Sequence, residues 1–325
     1  MIIDSHGHLV PPALLQAMKA DQSKFPSVRI IEEGGSLAFS FAGAKPTRPV
    51  SKPLTDIAAR IAWMDAQKID RQVVGGWVDS FGYEIPADEG VAWSTLINDA
   101  LLAASKEHKR FVPLATVPMQ DGARAAQVLK SAIADGFPGV MIGTLPRGVG
   151  SVLDTEDLEP FWKAADETGA VVHIHPSFDA GDHRVHDYGM ANAVGRITDA
   201  MVATSRLVYS GHLAKYKNAK IVVGMGGAGL PFIIGRLNRN ATITPKVGSP
   251  DEALKHLYVD TIVHDPRVLR FVADVIGADR IMMGTDMPFP IGDDKPLEIV
   301  KAASFSSEEA KSINGGLAAK LFRVQ

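Results

Sequence analysis

The chain has 325 residues, 46% hydrophobic and 22% charged, with a formal net charge of −3. This composition suits a globular chain with a substantial core, and its near-neutral charge leaves no electrostatic footprint for nucleic acid or an anionic membrane surface. There is no cysteine, so disulfides and thiolate-bound zinc are excluded, and any metal must be held by histidine and carboxylate.

The chain opens on the strand-like Met1-Ile-Ile-Asp4, not on a basic segment followed by an apolar leader. No apolar run reaches the roughly 18 residues of a membrane span. A cytoplasmic protein is the expectation. Short apolar runs then predict strands at Ile2–Ser5, Arg71–Val74, Phe111–Leu114, Val140–Ile142, Val171–His175, Ile221–Val223, Tyr258–Thr261 and Arg280–Gly284. Amphipathic stretches between them predict helices, among them Ile57–Gln67, Ala92–Lys109, Gly122–Asp135, Leu158–Thr168, Arg267–Ile276 and Ser307–Leu321. Repeated β/α units of this kind predict an α/β fold, a TIM barrel formed as one domain over residues 1–325. Catalytic residues are then expected at the C-terminal strand ends. Two segments break the rhythm. Residues 26–50 carry VRIIE and LAFSF around Gly34-Gly35, which reads as a small β-hairpin inserted after the first strand, a lid over the barrel mouth. Residues 178–190 form a polar loop after the fifth strand.

The first strand ends in His6-Gly7-His8. Alternate residues of a strand face one side, so both imidazoles can converge on one ion. His173 and His175 repeat the arrangement on the fifth strand. His175 sits at the strand end as a third ligand, and His173, one layer deeper, reads as a hydrogen-bonded core histidine. After the eighth strand, Asp286 in Gly284-Thr-Asp-Met-Pro288 is either a helix cap or the fourth member of the metal set.

These residues resemble the amidohydrolase superfamily, and within it the branch typified by aminocarboxymuconate semialdehyde decarboxylase. Arg110–Gln120, Gly136–Gly143, Val263–Pro266 and Gly284–Pro290 extend the resemblance over the whole chain. It implies a distorted (β/α)8 barrel and one divalent ion on His6, His8, His175 and Asp286, zinc by expectation with manganese as the alternative. It also implies a small unsaturated or aromatic carboxylic acid as substrate, and a homodimer. In such enzymes the sixth strand ends in His-Gly-Gly-Gly, soon followed by proline. Here Gly224-Met-Gly-Gly-Ala-Gly-Leu-Pro231 stands in that place. Gly224, Gly226 and Gly229 also match the G-x-G-x-x-G spacing of dinucleotide sites. Pro231 lies early in the following helix, however, and no separate βαβ unit surrounds the motif, so the glycines are read as shaping a loop.

Met225 departs from the family pattern, because a thioether cannot take the proton that the usual histidine takes. Decarboxylation remains the first reading. The alternative is hydrolysis of an amide or lactone, or hydration, with Asp286 as proton shuttle for the metal-bound water; a third class is a non-catalytic binding protein. Arg236, Arg239 and Arg48 are candidates for the substrate carboxylate because the guanidinium fork binds it in bidentate fashion. In the resemblance Arg239 reaches a neighbouring subunit. Trp77 is a candidate aromatic wall, Met225 a pocket residue, and His183 and His186 candidate substitute bases.

Overall fold

The computed structural model describes residues 1–178 and 180–324; Asp179, within the polar loop expected at 178–190, and Gln325 lie outside the described residues. The strands are β1 (Ile3–His8), β2 (Val28–Glu33), β3 (Ser36–Phe41), β4 (Arg71–Gly75), β5 (Phe111–Pro113), β6 (Gly139–Gly143), β7 (Val171–His175), β8 (Lys220–Val223), β9 (Leu257–Asp260) and β10 (Ile281–Met282). The fold is α/β with parallel sheets. One sheet runs β1-β4-β5 and the other runs β6 to β10 in chain order. Every residue of β6 and β7 is buried, as expected for parallel strands covered on both faces. Single parallel bridges, Ala115 to Val140 and Gly7 to Met287, link the two sheets.

Four elements differ from the sequence expectation by more than a residue: β1 runs on from the expected Ser5 to His8, the helix expected at Ala92–Lys109 spans Ala87–Glu107, the last strand is shortened and the last helix is broken up. β10 is shorter than the run Arg280–Gly284, because Met283 donates its N–H to the Ile313 carbonyl and accepts from Ser5 N, both at 2.8 Å. The segment 307–321 is not one helix. It divides into Ser307–Lys311, a wide turn over Ser312–Gly316 and Leu317–Leu321, because Gly315 passes against the Met1 carbonyl, where a Cβ would collide. The helix Gly122–Ala134 starts where the Asp121 carboxylate accepts the Arg124 N–H, an ordinary N-cap. In Pro266–Ile276 the buried residues Leu269, Val272, Ala273 and Ile276 follow the 3.6-residue period of one apolar face. Two further helices, Arg196–Tyr209 and Leu230–Ala241, follow β7 and β8. None of the described helices is long and apolar enough to cross a membrane.

β2 and β3 pair antiparallel, from Val28 with Phe41 to Glu33 with Ser36. Gly34 and Gly35 turn the chain at φ of 57° and 80°, the paired left-handed residues that a tight type I′ turn needs. The hairpin is anchored by aromatic packing. Phe25, Phe39 and Phe41 meet the Trp93 ring at centroid distances of 5.0, 6.0 and 5.8 Å. Trp93, on the helix Ala87–Glu107, is fully buried and donates its indole N–H to the Ser80 carbonyl at 2.8 Å. Trp93→Ala should therefore cost about 3–5 kcal/mol, measured by urea unfolding. Hydrogen exchange should show hairpin amides losing more protection than those of β7 and β8.

Candidate metal centre and active site

β1 carries a register shift between Asp4 and Gly7 in its pairing with β4, a bulge of the kind found beside active sites. His6 lies within it and His8 just after it, 2% and 0% exposed. His175 at the end of β7 and Asp286 beyond β10 join them. Their donor atoms all lie within 4.8 Å of one another, so the four side chains could hold one metal ion. The Asp286 Oδ1 stands 3.0 Å from His8 Nε2, 3.6 Å from His6 Nε2 and 3.9 Å from His175 Nε2.

The ring orientations test this fit. Nδ1 of His6 meets Asp260 Oδ2 at 2.8 Å, Nδ1 of His8 meets the Gly76 carbonyl at 3.1 Å, and Nδ1 of His175 meets the Pro176 carbonyl at 2.9 Å. Acceptors on that side keep the ring proton on Nδ1 and turn each Nε2 lone pair inward, the arrangement of metal-bound histidines. The His6 Nε2 is buried without a hydrogen-bond partner. Lone pairs and a carboxylate facing one another repel unless a cation sits among them, and the donor set suits a divalent ion. Burial pushes His175 down to about 3 and also lowers His8, so both rings are neutral and available as ligands. Burial raises the Asp286 carboxyl, but the neighbouring imidazoles of His175 and His8 outweigh it and hold it well below the usual range.

Buried groups around these four were not found from the sequence. Asp260, at the end of β9, is fully buried and also accepts the N–H groups of Gly226 and Ile262 at 3.1 Å. Asp4 accepts from Gln72 Nε2 at 2.7 Å and from the Thr285 hydroxyl at 2.6 Å. Burial raises its carboxyl to about 6. Arg60 binds Gln72 Oε1 at 2.8 Å and the His8 carbonyl at 3.0 Å, which fixes β1 from below. For Asp260 a signal was present: it lies near the end of the predicted strand Tyr258–Thr261, at the same edge as the four candidate ligands.

The glycine run is a left-handed turn. Met225, Gly226 and Gly227 have φ/ψ of 55°/45°, 61°/27° and 81°/20°, and Ala228 and Gly229 continue at φ of 50° and 78°. The right-handed helix Leu230–Ala241 opens only after this left-handed turn, with Gly229 as its N-cap, so the run does not pass straight from strand into helix as the loop of a dinucleotide site does. Gly224 is needed for clearance, since a Cβ there would lie 3.0 Å from His6 Cε1. Met225 is half-buried against the core. His173 is buried at 4.4 Å from the His6 ring, but neither of its nitrogens has a hydrogen-bond partner, which corrects the hydrogen-bonded reading.

Arg48 pairs with Asp79 at 3.0 Å and lies 4.0 Å over the Phe178 ring and 5.9 Å over Trp77. Trp77 is buried in the core cluster that includes the hairpin phenylalanines. Arg236 and Arg239 are exposed on the helix Leu230–Ala241. They line a separate groove of about 750 Å³ with Met201, Arg206 and Tyr209, so a single chain does not bring them to the four-residue centre. His183 and His186 are exposed on the loop after β7.

The amidohydrolase family model matches residues 3–324. The chain is 29% identical over 272 residues to the 2-amino-3-carboxymuconate-6-semialdehyde decarboxylase of Dictyostelium discoideum, covering 81% of this chain and 75% of that one. Its fold matches the 5-carboxyvanillate decarboxylase of Sphingomonas paucimobilis with a TM-score of 0.81 at 22% identity, over 100% and 99% of the two chains. It also matches a dihydroxybenzoic acid decarboxylase from a Polaromonas species, solved with manganese and the inhibitor 2-nitroresorcinol. There the TM-score is 0.78 at 23% identity, over 99% of this chain and 97% of that one.

Because Asp260 orients His6, Asp260→Asn should weaken metal affinity about 10–100-fold, read by titrating metal into stripped protein. His175→Ala should lower occupancy further. Parent-like affinity in Asp260→Asn would remove that carboxylate from the support of the centre.

Proposed function

The chain belongs to the amidohydrolase family, and from that premise we propose that it is a metal-dependent decarboxylase of a small unsaturated or aromatic carboxylic acid. The observation that carries this reading is the convergence of three Nε2 atoms and the Asp286 carboxylate, in a chain whose relatives are named as decarboxylases. We read the two parallel sheets and their linking bridges as one distorted (β/α)8 barrel forming a single domain, with the hairpin segment as a lid. His6, His8, His175 and Asp286 would hold one divalent ion, zinc or manganese. When bound, that ion supplies Lewis acidity that polarises a substrate oxygen and stabilises developing negative charge.

The chain's own groups account for the rest. Trp77 and Phe178, with Arg48 over both rings, form an aromatic and cationic wall suited to a planar acid. Decarboxylation breaks the bond from ring or diene carbon to carboxylate carbon and forms a C–H bond in its place. A proton must therefore be held near that carbon. Met225 cannot hold one; Asp286, ionised at rest, is the carboxylate at the centre placed to receive a proton and pass it on. The same substitution favours a second reading, hydrolysis or hydration with Asp286 as shuttle, because that chemistry needs no base on β8.

Metal-replete enzyme offered 2,6-dihydroxybenzoate, 5-carboxyvanillate, lactones and amides should release CO₂ from an acid. Water addition without CO₂ would move the assignment to the second reading. Met225→His should raise a decarboxylation rate, up to the roughly 10²–10⁴-fold that a positioned base contributes, and should help hydrolysis little. Asp286→Asn should abolish turnover under either reading.

We further propose a homodimer in which Arg239 approaches the partner's site. It is supported by exposed Phe232 and Ile243 on and beside the helix that carries Arg239. Sedimentation should give twice the chain mass, and a fully active monomer would refute it.

A further inference from the structure

The helix Arg196–Tyr209 begins with a side chain that the sequence reading passed over. Arg196 is 7% exposed, and its Nε is buried without a hydrogen-bond partner. Among the described residues its guanidinium makes neither an ion pair nor a hydrogen bond. Arg60, comparably buried at 3%, uses both arms on Gln72 and the His8 carbonyl. A desolvated cation without partners is costly and is ordinarily matched by an anion.

The surrounding charges do not supply that anion. Asp79, Asp286 and Asp199 attract the Arg196 charge and Arg48 repels it, while burial lowers its pKa. Asp79 is paired with Arg48 at 3.0 Å. Asp199 accepts the Thr144 hydroxyl and the Ser177 N–H. Asp286 is held among the three histidines. Among the described residues, each of these three acids is thus already engaged. The Arg196 guanidinium carbon lies 5.1 Å from the centroid of the same Phe178 ring that Arg48 covers. It therefore stands beside the aromatic wall, where the Asp286 carboxylate still attracts its charge.

We propose that Arg196 is the anion-binding residue of this site and takes a carboxylate of an aromatic or unsaturated acid beside Phe178. Arg48, already neutralised by Asp79, has less charge to offer the ligand. The inference rests on the substrate being a carboxylic acid, but not on which bond the enzyme breaks. Guanidinium and carboxylate form paired, charge-assisted hydrogen bonds, stronger than those of a lysine point charge.

The test is calorimetric titration of metal-replete protein with benzoate and with neutral benzyl alcohol, alongside thermal unfolding without ligand. Arg196→Gln should weaken benzoate at least tenfold and leave benzyl alcohol unchanged, and Arg196→Lys should recover part of the loss. The unliganded Arg196→Gln protein should melt at the parent temperature or above it, since an unpaired buried charge has been removed. Unchanged benzoate affinity in Arg196→Gln would overturn the proposal. So would parent protein that binds benzoate no better than benzyl alcohol, or a melting temperature several degrees lower in the variant. Arg196-dependent benzoate binding in an enzyme that releases no CO₂ would uphold this assignment while the decarboxylase reading fell.

Discussion

The structure turns on one electrostatic constraint: three imidazole lone pairs and a carboxylate are held facing each other out of water. Such a cluster persists only if every ring is fixed in one tautomer. The outer nitrogens are therefore anchored on Asp260 and on the Gly76 and Pro176 carbonyls. The anchors need placing in turn. Asp260 is held by two backbone N–H groups, one of them from the glycine turn after β8. Asp4, Gln72, Arg60 and Thr285 connect the floor of the centre to β1, β4 and the segment after β10. The glycines follow from the same demand, since a side chain at Gly224 or Gly284 would press on His6 and Asp260.

Residues that announce themselves by spacing were legible in the sequence. His6 and His8 alternate on a strand, His175 ends another, and Asp286 follows a third, all at one edge of the parallel sheets. Apolar runs located most strands to within a residue or two, because strands buried on both faces need continuous hydrophobicity, but β1 runs three residues past the expected Ser5 to His8. Asp260 and Asp4 were missed because a single acid in a strand has no periodic partner, and its meaning depends on which histidine lies across the sheet. Arg196 was missed for a related reason. At the start of an amphipathic helix an arginine looks like a solvated charge, and only the packing of Phe178 and the engagement of the nearby acids reveal that it is buried and alone. The break at Gly315 was invisible because its cause, the Met1 backbone, is remote in sequence.

Part of the chain's backbone strain lies at the same edge. Met225, Ala228 and Asp286 all have φ between 50° and 59°, a region that costs a residue with a Cβ roughly 1–2 kcal/mol. Ala228 recovers some of this by burying its methyl completely. Asp286 gains a hydrogen bond from its own N–H to the His6 carbonyl at 2.8 Å. For Asp286 the strained backbone is held by a contact that also defines the centre, the pattern expected where strain serves a site.

Met225 is different, because glycine at that position would be free of the penalty and neighbouring positions use it. A side chain is kept there although the turn does not need one, and its contribution to the core is only that of a half-buried thioether. The backbone cost is set by the Cβ and is about the same for methionine as for any other unbranched residue. Folding thus neither requires a residue with a Cβ at 225 nor dictates which one stands there. The identity of the side chain that follows Gly224 is therefore not set by the fold, while the three imidazoles are fixed by the anchors on their outer nitrogens.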